Sequence, residues 1–368
     1  MKKFLIAVDA RPLSSPVSGV SRTISKIIQN IKDDFEFHLF SHLPYHKDFE
    51  NLVKQDNVVW NHSHNFITKK GGLWYTIDLP NIIRKLKPDI FWGTQQTIPP
   101  TIPKSIKTVL TIHDFVSILY PKSMRKIALL QQRFLMNSSI KEADILICNS
   151  KQTENDLKNF YPVTKKTMVI PWGFDLPKNH QLQNIVPVKN YILAVSTIEP
   201  RKNYTTLLEA YYKYYLSETQ EPYNLIIVGR RGWESKKFYQ RLEELQQKTG
   251  TIILLDGVQD EQLYSLYQNS AFFCMPSLYE GFGIPVLEAL CFQKKVIVSD
   301  IPCFREIAQG YGTFLPPQDI DQWATTITKF VELHRKKQLP PSKFPYEKWS
   351  WKIVANRYKE VFNSLISS

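Results

Sequence analysis

Two carboxylates, Glu280 and Glu288, stand on either side of Gly-Phe-Gly in the stretch SLYEGFGIPVLEAL, residues 277–290, with seven residues between them. A carboxylate accepts hydrogen bonds from vicinal hydroxyls, and glycines such as Gly281 and Gly283 let backbone N–H groups approach a ligand closely. That combination suits a sugar carrying phosphate. Spacing alone leaves a second use open, a solvated loop acid followed by a glutamate on a helix surface. Pro285 fits the first turn of a helix running through PVLEALCF. Glu280 then lies in the loop after the strand AFFCMPS, and Glu288 about one turn into the helix.

A second segment, VSTIEPRKNYTTLLEA, places Glu199, Arg201 and Lys202 at the end of a strand and just before a helix. The helix dipole already favours negative charge at that end, so two cations there are poor for stability and good for clamping phosphate. A charge-assisted hydrogen bond contributes roughly 1.5–3 kcal/mol. Two of them stabilise a departing diphosphate better than a neutral loop, although an exposed basic turn also fits the pattern. His113 and Asp114 end the strand KTVLTIHD, a pairing that serves structure as readily as proton handling. The one Asp-x-Asp, Asp319-Ile320-Asp321, directly precedes an amphipathic pattern and reads as a helix cap, so no metal is expected.

The elements that must hold these residues form two series. The first is KFLIAVDA, FEFHLFSH, NVVWNHS, PDIFWGT, KTVLTIHD, DILICNS and KTMVIPWG; the second is YILAVST, YNLIIVG, TIILLDG, AFFCMPS and KVIVSD. Short apolar strands alternating with helical patterns indicate parallel sheets covered on both faces. The chain reads as α/β, with two doubly wound domains at 1–175 and 190–345 and a polar, Pro-flanked linker at 176–189. A last segment, 346–368, carries Trp351, Val354, Tyr358 and Phe362 at helical spacing, and a helix there can pack back on the first domain. Such folds bind ligands beyond the carboxyl ends of their strands, and the cleft between two domains is the expected site.

With these motifs in order, the sequence resembles a retaining glycosyltransferase of family 4, whose GT-B architecture has two facing Rossmann-like domains. DARPLSSPVSGVSR is similar to that family's first strand and glycine loop, TIHDF to its His-containing strand end, and STIEPRKN to its phosphate clamp. VGRRGW resembles the strand and loop that follow, DGV the base-contacting turn, and YEGFGIPVLEAL the paired-glutamate segment. The likeness spans nearly the whole chain, and EPRKN with GRRGW most resembles the bacterial polysaccharide mannosyltransferases.

The resemblance implies roles. Arg201 and Lys202, with Glu199 beside them, would neutralise the donor diphosphate. Glu280 would bind hydroxyls of the donor sugar, with backbone amides from Gly281, Phe282 and Gly283 nearby. Glu288 would accept from the ribose, and Val258 would meet the base through its backbone. Gly19 would let the diphosphate or the acceptor come close. His113 would lie near the sugar and the acceptor hydroxyl, oriented by Asp114. The implied reaction moves a sugar, with mannose from GDP-mannose as the leading choice, to a hydroxyl of a glycan or lipid-linked glycan in polysaccharide or O-antigen-type synthesis. It needs neither cofactor nor metal. A UDP- or dTDP-sugar donor, a nucleotide-sugar epimerase of the same architecture, and a non-catalytic nucleotide-sugar-binding protein are the alternatives.

Composition narrows the partners. The net charge is +13, with 24 Lys and Arg against 15 Asp and Glu in residues 1–175. Two basic segments, KKGGLWYTIDLPNIIRKLKP and YPKSMRKIALLQQRFLMNSSIK, interleave cations with apolar residues. They suit either an anionic membrane surface, where lipid-linked acceptors reside, or core packing beneath solvated lysines. No nucleic-acid module is present, and Gly-x-Gly-x-x-Gly follows neither first strand, which argues against a dinucleotide oxidoreductase. The four cysteines, Cys148, Cys274, Cys291 and Cys303, read as reduced thiols. The opening MKKFLIAVDA is too short in its apolar run for a signal peptide and reads as a buried strand. The expected location is the cytoplasm, with peripheral contact at the inner face of the membrane as one use of the basic segments.

Overall fold

A computed structural model describes residues 3–63, 71–121, 126–177, 186, 188–232 and 234–367, without the side chains of 126–132. It divides into two compact units, residues 1–173 with 348–368, and residues 174–347. The linker expected at 176–189 lies largely outside the described residues. Phe174 falls with the second unit because its ring packs on Tyr264 and Phe292, at 5.7 and 5.9 Å between centroids.

The first unit is built on a seven-stranded parallel sheet in the order β3-β2-β1-β4-β5-β6-β7. The strands are β1 (Phe4–Asp9), β2 (Phe35–Ser41), β3 (Val58–His62), β4 (Ile90–Gly93), β5 (Lys107–Ile112), β6 (Ile145–Cys148) and β7 (Lys166–Val169). Strands β4 and β6 are buried along their whole length, as a sheet covered on both faces requires. Helix α1 (Gly19–Ile31) begins in a capping box in which Ser18 and Ser21 satisfy one another's backbone N–H groups.

The second unit has a six-stranded parallel sheet in the order β10-β9-β8-β11-β12-β13. Its strands are β8 (Tyr191–Val195), β9 (Asn224–Val228), β10 (Ile252–Leu255), β11 (Phe272–Met275), β12 (Val296–Ser299) and β13 (Gly312–Leu315). Strand β13 was not expected from the sequence. Four residues opening on glycine, on a half-buried sheet edge, carry too little apolar signal. Helix α2 (Tyr204–Ser217) follows β8, and α3 (Ile284–Cys291) follows β11. In both sheets the chain winds outward from the first strand in two directions. The switch points, between β1 and β4 and between β8 and β11, are where such folds bind ligands.

The C-terminal helix α4 (Trp351–Ile366) belongs to the first unit. Its Tyr358 and Phe362 meet Trp92 of β4 at 5.2 and 5.7 Å, and Phe362 meets Phe35 at 5.7 Å. Arg357 donates to the Val169 carbonyl at 2.6 Å, tying the helix to β7. The spacing of Trp351, Val354, Tyr358 and Phe362 is thus the buried face of a helix that crosses back to the first domain. Among the described residues no helix is long and apolar enough to cross a membrane.

Candidate active site

In the second unit the chain leaves β8 through Ser196–Ile198, turns at Pro200–Lys202, and enters α2 from Asn203. Gly229 makes this course possible. A Cβ there would lie 1.8 Å from the Ser196 carbonyl oxygen, so only glycine lets the end of β9 run against the loop. The pairing continues past both strands. Ile198 donates to Arg230 and accepts from Gly232, at 3.0 and 3.1 Å, so the GRRG segment holds the turn in place. Trp233 of the same motif is outside the described residues.

The turn sets Arg201 and Lys202 against the loop that follows β11. Lys202 Nζ lies 2.5 Å from Glu280 Oε1, and Arg201 Nη1 lies 2.7 Å from Glu280 Oε2. Arg201 reaches Glu199 Oε1 through Nη2 at 2.7 Å and the Tyr279 carbonyl through Nη1 at 3.1 Å. The Ser277 hydroxyl donates to Glu280 at 2.9 Å, and the Leu278 amide donates to the Arg201 carbonyl at 2.8 Å. Glu199, Lys202 and Glu280 are all buried. Burial opposes ionisation of Glu280, but Lys202 and Arg201 outweigh it and hold its carboxyl down at about 2. Burial, with Arg201 adding to it, holds the Lys202 amine below its ordinary range despite the glutamates. The site is two cations and two carboxylates locked together at the β8/β11 switch point.

Two neighbours escaped the sequence reading. Asn203, in a left-handed conformation at φ 55°, donates to the carbonyls of Pro276 and Pro317 at 3.0 and 2.7 Å. It ties the cationic turn to the ends of β11 and β13. Its left-handed tolerance, just ahead of a helix, was the available signal. Ser277 gave none, since one serine before a loop has many uses.

Gly283 is the N-cap of α3 at φ 104°, and a Cβ there would meet Phe304 Cε1 at 2.6 Å. Glycine is therefore obligatory, and Phe282 beside it turns its ring into the core. Glu288 is a buried acid rather than a surface one: its Oε2 accepts from the Tyr267 hydroxyl at 2.8 Å. Tyr267 in turn stacks on Phe292 at 5.6 Å. Val258 lies beyond β10, two strands away from β8, in a turn where Asp256 accepts from the Gly257 amide at 2.7 Å.

The remaining predicted residues belong to the first unit. Gly19 is the first residue of α1. His113 follows β5, buried, with Nε2 2.6 Å from the Thr94 carbonyl and its ring 5.4 Å from that of Trp172. Burial holds its imidazole below the ordinary range, with Thr94 and Asp114 opposing. Asp114 was expected to orient it. Instead Asp114 accepts from the Val116 amide at 3.1 Å, and the Thr94 carbonyl fixes the ring. Asp319 caps the helix at Ile320–Arg335 by accepting from Gln322 at 2.9 Å, while Asp321 pairs with Lys213. Among the described residues no group of three His, Cys, Asp or Glu could hold a metal ion.

Residues 176–340 match the family model of glycosyl transferases group 1, and residues 17–178 match that of Glycosyltransferase Family 4. O-antigen chain mannosyltransferase B of Escherichia coli is 27% identical over 354 residues, covering 90% of this chain and 91% of that protein. O-antigen chain mannosyltransferase RfbU of Salmonella typhimurium is 29% identical over 264 residues, covering 71% of each. Among solved structures, a sucrose-phosphate synthase from Thermosynechococcus elongatus superposes with a TM-score of 0.75 at 16% identity, covering all of both chains. Anabaena Alr3699/HepE, solved with UDP and glucose, gives 0.70 at 16% identity, over 98% of this chain and 100% of that one. The two family models meet end to end across the two sheets, and the chain belongs to the family 4 glycosyltransferases, with the GT-B fold.

Proposed function

We propose that this glycosyltransferase moves mannose from GDP-mannose to a hydroxyl of a glycan or lipid-linked glycan, with retention at the anomeric carbon and without a metal ion. The observation that carries the reading is the pair Arg201 and Lys202 gripped by Glu280 at the β8/β11 switch point. The names of the O-antigen mannosyltransferase relatives support the sugar and the kind of product.

In this mechanism the bond from the anomeric carbon to the diphosphate breaks as the acceptor oxygen bonds the same carbon on the same face. The acceptor proton passes to an oxygen of the leaving phosphate. Negative charge grows on the diphosphate, and Arg201 and Lys202 stabilise it from a buried position where charges interact strongly. Glu280 and Glu199 keep both cations oriented before the donor arrives. Glu280 and the amides of Gly281–Gly283 face the sugar, Glu288 the ribose, and the Val258 backbone the base. Gly19 and His113 serve the acceptor and the reacting sugar.

A peripheral membrane contact also belongs to the proposal. Leu73, Ile77 and Ile82 are exposed, and Arg84 and Lys85 lie exposed on the helix at Leu79–Leu86. Cations and apolar side chains together on one exposed stretch suit an anionic bilayer surface. The second basic segment lies partly outside the described residues, and of its described part Phe134 is 80% exposed.

The test is a thermal-shift panel of GDP, UDP, ADP, dTDP and NAD, with and without EDTA, followed by a transfer assay with GDP-mannose. A ligand at about 100 times its Kd adds ~2.7 kcal/mol. A GDP shift that survives EDTA, with product retaining the α-configuration, is the expected result. A shift by UDP or dTDP alone replaces the donor. A shift abolished by EDTA overturns the metal-free clamp.

A further inference from the structure

The loop after β4 stands at the switch point of the first unit and is tied down from every side. The Thr94 hydroxyl donates to the Asp9 carbonyl at 2.5 Å, and the Thr94 carbonyl meets His113 Nε2. The Thr97 hydroxyl bonds Tyr75 at 3.0 Å and lies 3.4 Å from Arg11 Nη2. Asp9 grips Arg11 through two bonds of 2.8 and 2.7 Å, with the guanidinium 3.7 Å from the centre of the Tyr75 ring. The backbone amide of Gln96, within this loop, donates to the Thr111 carbonyl at 3.2 Å.

Gln96 does not fit that economy. It is 7% exposed and left-handed, with φ 61°, yet its amide oxygen is buried and takes no hydrogen bond from any described residue. Two other amide residues with positive φ spend theirs on the fold. Asn203 ties two strand ends to its turn. Gln293, φ 60°, donates to the Phe344 carbonyl at 3.0 Å and accepts from the Phe344 amide at 2.9 Å. A left-handed backbone and an unpaired buried amide oxygen each cost free energy. Strained, unsatisfied residues cluster where a ligand is held. A second buried acceptor is close by: with Nε2 on Thr94, His113 Nδ1 is unpaired among the described residues.

We infer that Gln96 is a specificity-determining residue whose side-chain amide binds a pyranose hydroxyl at the β1/β4 switch point. The inference rests on the proposed transferase function and adds to it a contact that no motif carried. A hydroxyl donates to the Gln96 oxygen, supplying the bond the fold withholds. The hydroxyl could belong to the acceptor glycan or to the donor sugar, and turnover separates the two.

The experiment compares wild type with Gln96→Met, an unbranched near-isostere without hydrogen-bonding atoms, and with Gln96→Asn, which tolerates the left-handed backbone and withdraws the amide by one methylene. Melting temperature and GDP binding confirm that each variant is folded. Transfer from GDP-mannose to a glycan acceptor and hydrolysis of GDP-mannose without acceptor are then measured. Both variants should lose roughly tenfold in kcat/KM for transfer, equivalent to ~1.4 kcal/mol. Loss of transfer with hydrolysis intact places the hydroxyl on the acceptor, and equal loss of both places it on the donor sugar. Wild-type rates in both reactions, in a folded variant, overturn the inference while the transferase reading stands. A wild-type protein that consumes no nucleotide sugar takes both down.

Discussion

Lys202 Nζ and Glu280 Oε1 lie 2.5 Å apart, joining the turn after β8 to the loop after β11 across a separation of 78 residues in the chain. The contact makes one buried charge cluster from two segments that the fold brings to the same switch point. It also means that Arg201 and Lys202 are already neutralised by protein carboxylates, where unpaired cations would be costly to bury.

Glu280→Gln therefore has two opposed effects. The carboxylate that balances Arg201 and Lys202 is lost, so the melting temperature should fall; breaking a buried pair costs about 3–5 kcal/mol, and the amide recovers part of that. GDP should bind at least as tightly as to wild type, because the cations are less neutralised, while transfer drops by roughly a hundredfold or more. Calorimetric GDP titration beside a transfer assay checks this. Wild-type turnover removes Glu280 from the site.

Arg201→Lys should behave as a disruptive change. The guanidinium serves Glu199, Glu280 and the Tyr279 carbonyl together, and an ammonium on a single flexible stem cannot reproduce that fork. GDP affinity should fall by about tenfold or more. Equal affinity in both proteins would show that charge alone is used.

Gly283→Ala should destabilise the second unit and displace the loop before α3. The new Cβ meets Phe304 at 2.6 Å on a backbone at φ 104°. Gly257→Ala is the control, since φ is 68° there and nothing lies within 4 Å of the added carbon. Urea unfolding should show a loss of several kcal/mol in the first and about 1–2 kcal/mol in the second. Similar midpoints would mean that Phe304 yields freely.

Acid stability follows from Glu280. Its carboxyl is held at about 2 in the fold against an ordinary 4.5. A depressed acid contributes stability that is fully present above the unfolded value and is lost as pH falls through the folded one. The urea midpoint of wild type should drop between about pH 5 and 2, and Glu280→Gln should flatten part of that slope. An unchanged slope in the variant would place the acid sensitivity elsewhere.

Much of this was legible in the sequence because it is periodic or local. Strands buried on both faces must be apolar throughout, so β4 and β6 stand out. The half-buried edge strands β3 and β7 show through Val-Val-Trp and Met-Val, whereas the half-buried β13 opens on Gly-Thr and does not. The buried face of α4 was visible in four residues, and the identities of Glu199, Arg201, Lys202, Glu280 and Gly283 lay in two short motifs. Local chemistry is carried by residue type and spacing.

Partnership is not. That Thr94 would hold His113, that Glu288 would be buried against Tyr267, and that both cations would be tied to Glu280 depend on which strands lie side by side. Sheet order decides that, and it arises from long-range packing that leaves no periodic trace. The case of Gln96 is the sharpest, since glutamine is an ordinary loop residue until the fold buries its amide oxygen with no hydrogen-bond donor for it among the described residues. The sequence alone determined the family, the two sheets and the residues that carry charge. Only the tertiary structure decided which charges meet and which polar group is left over, because those are properties of neighbours that the chain order does not place together.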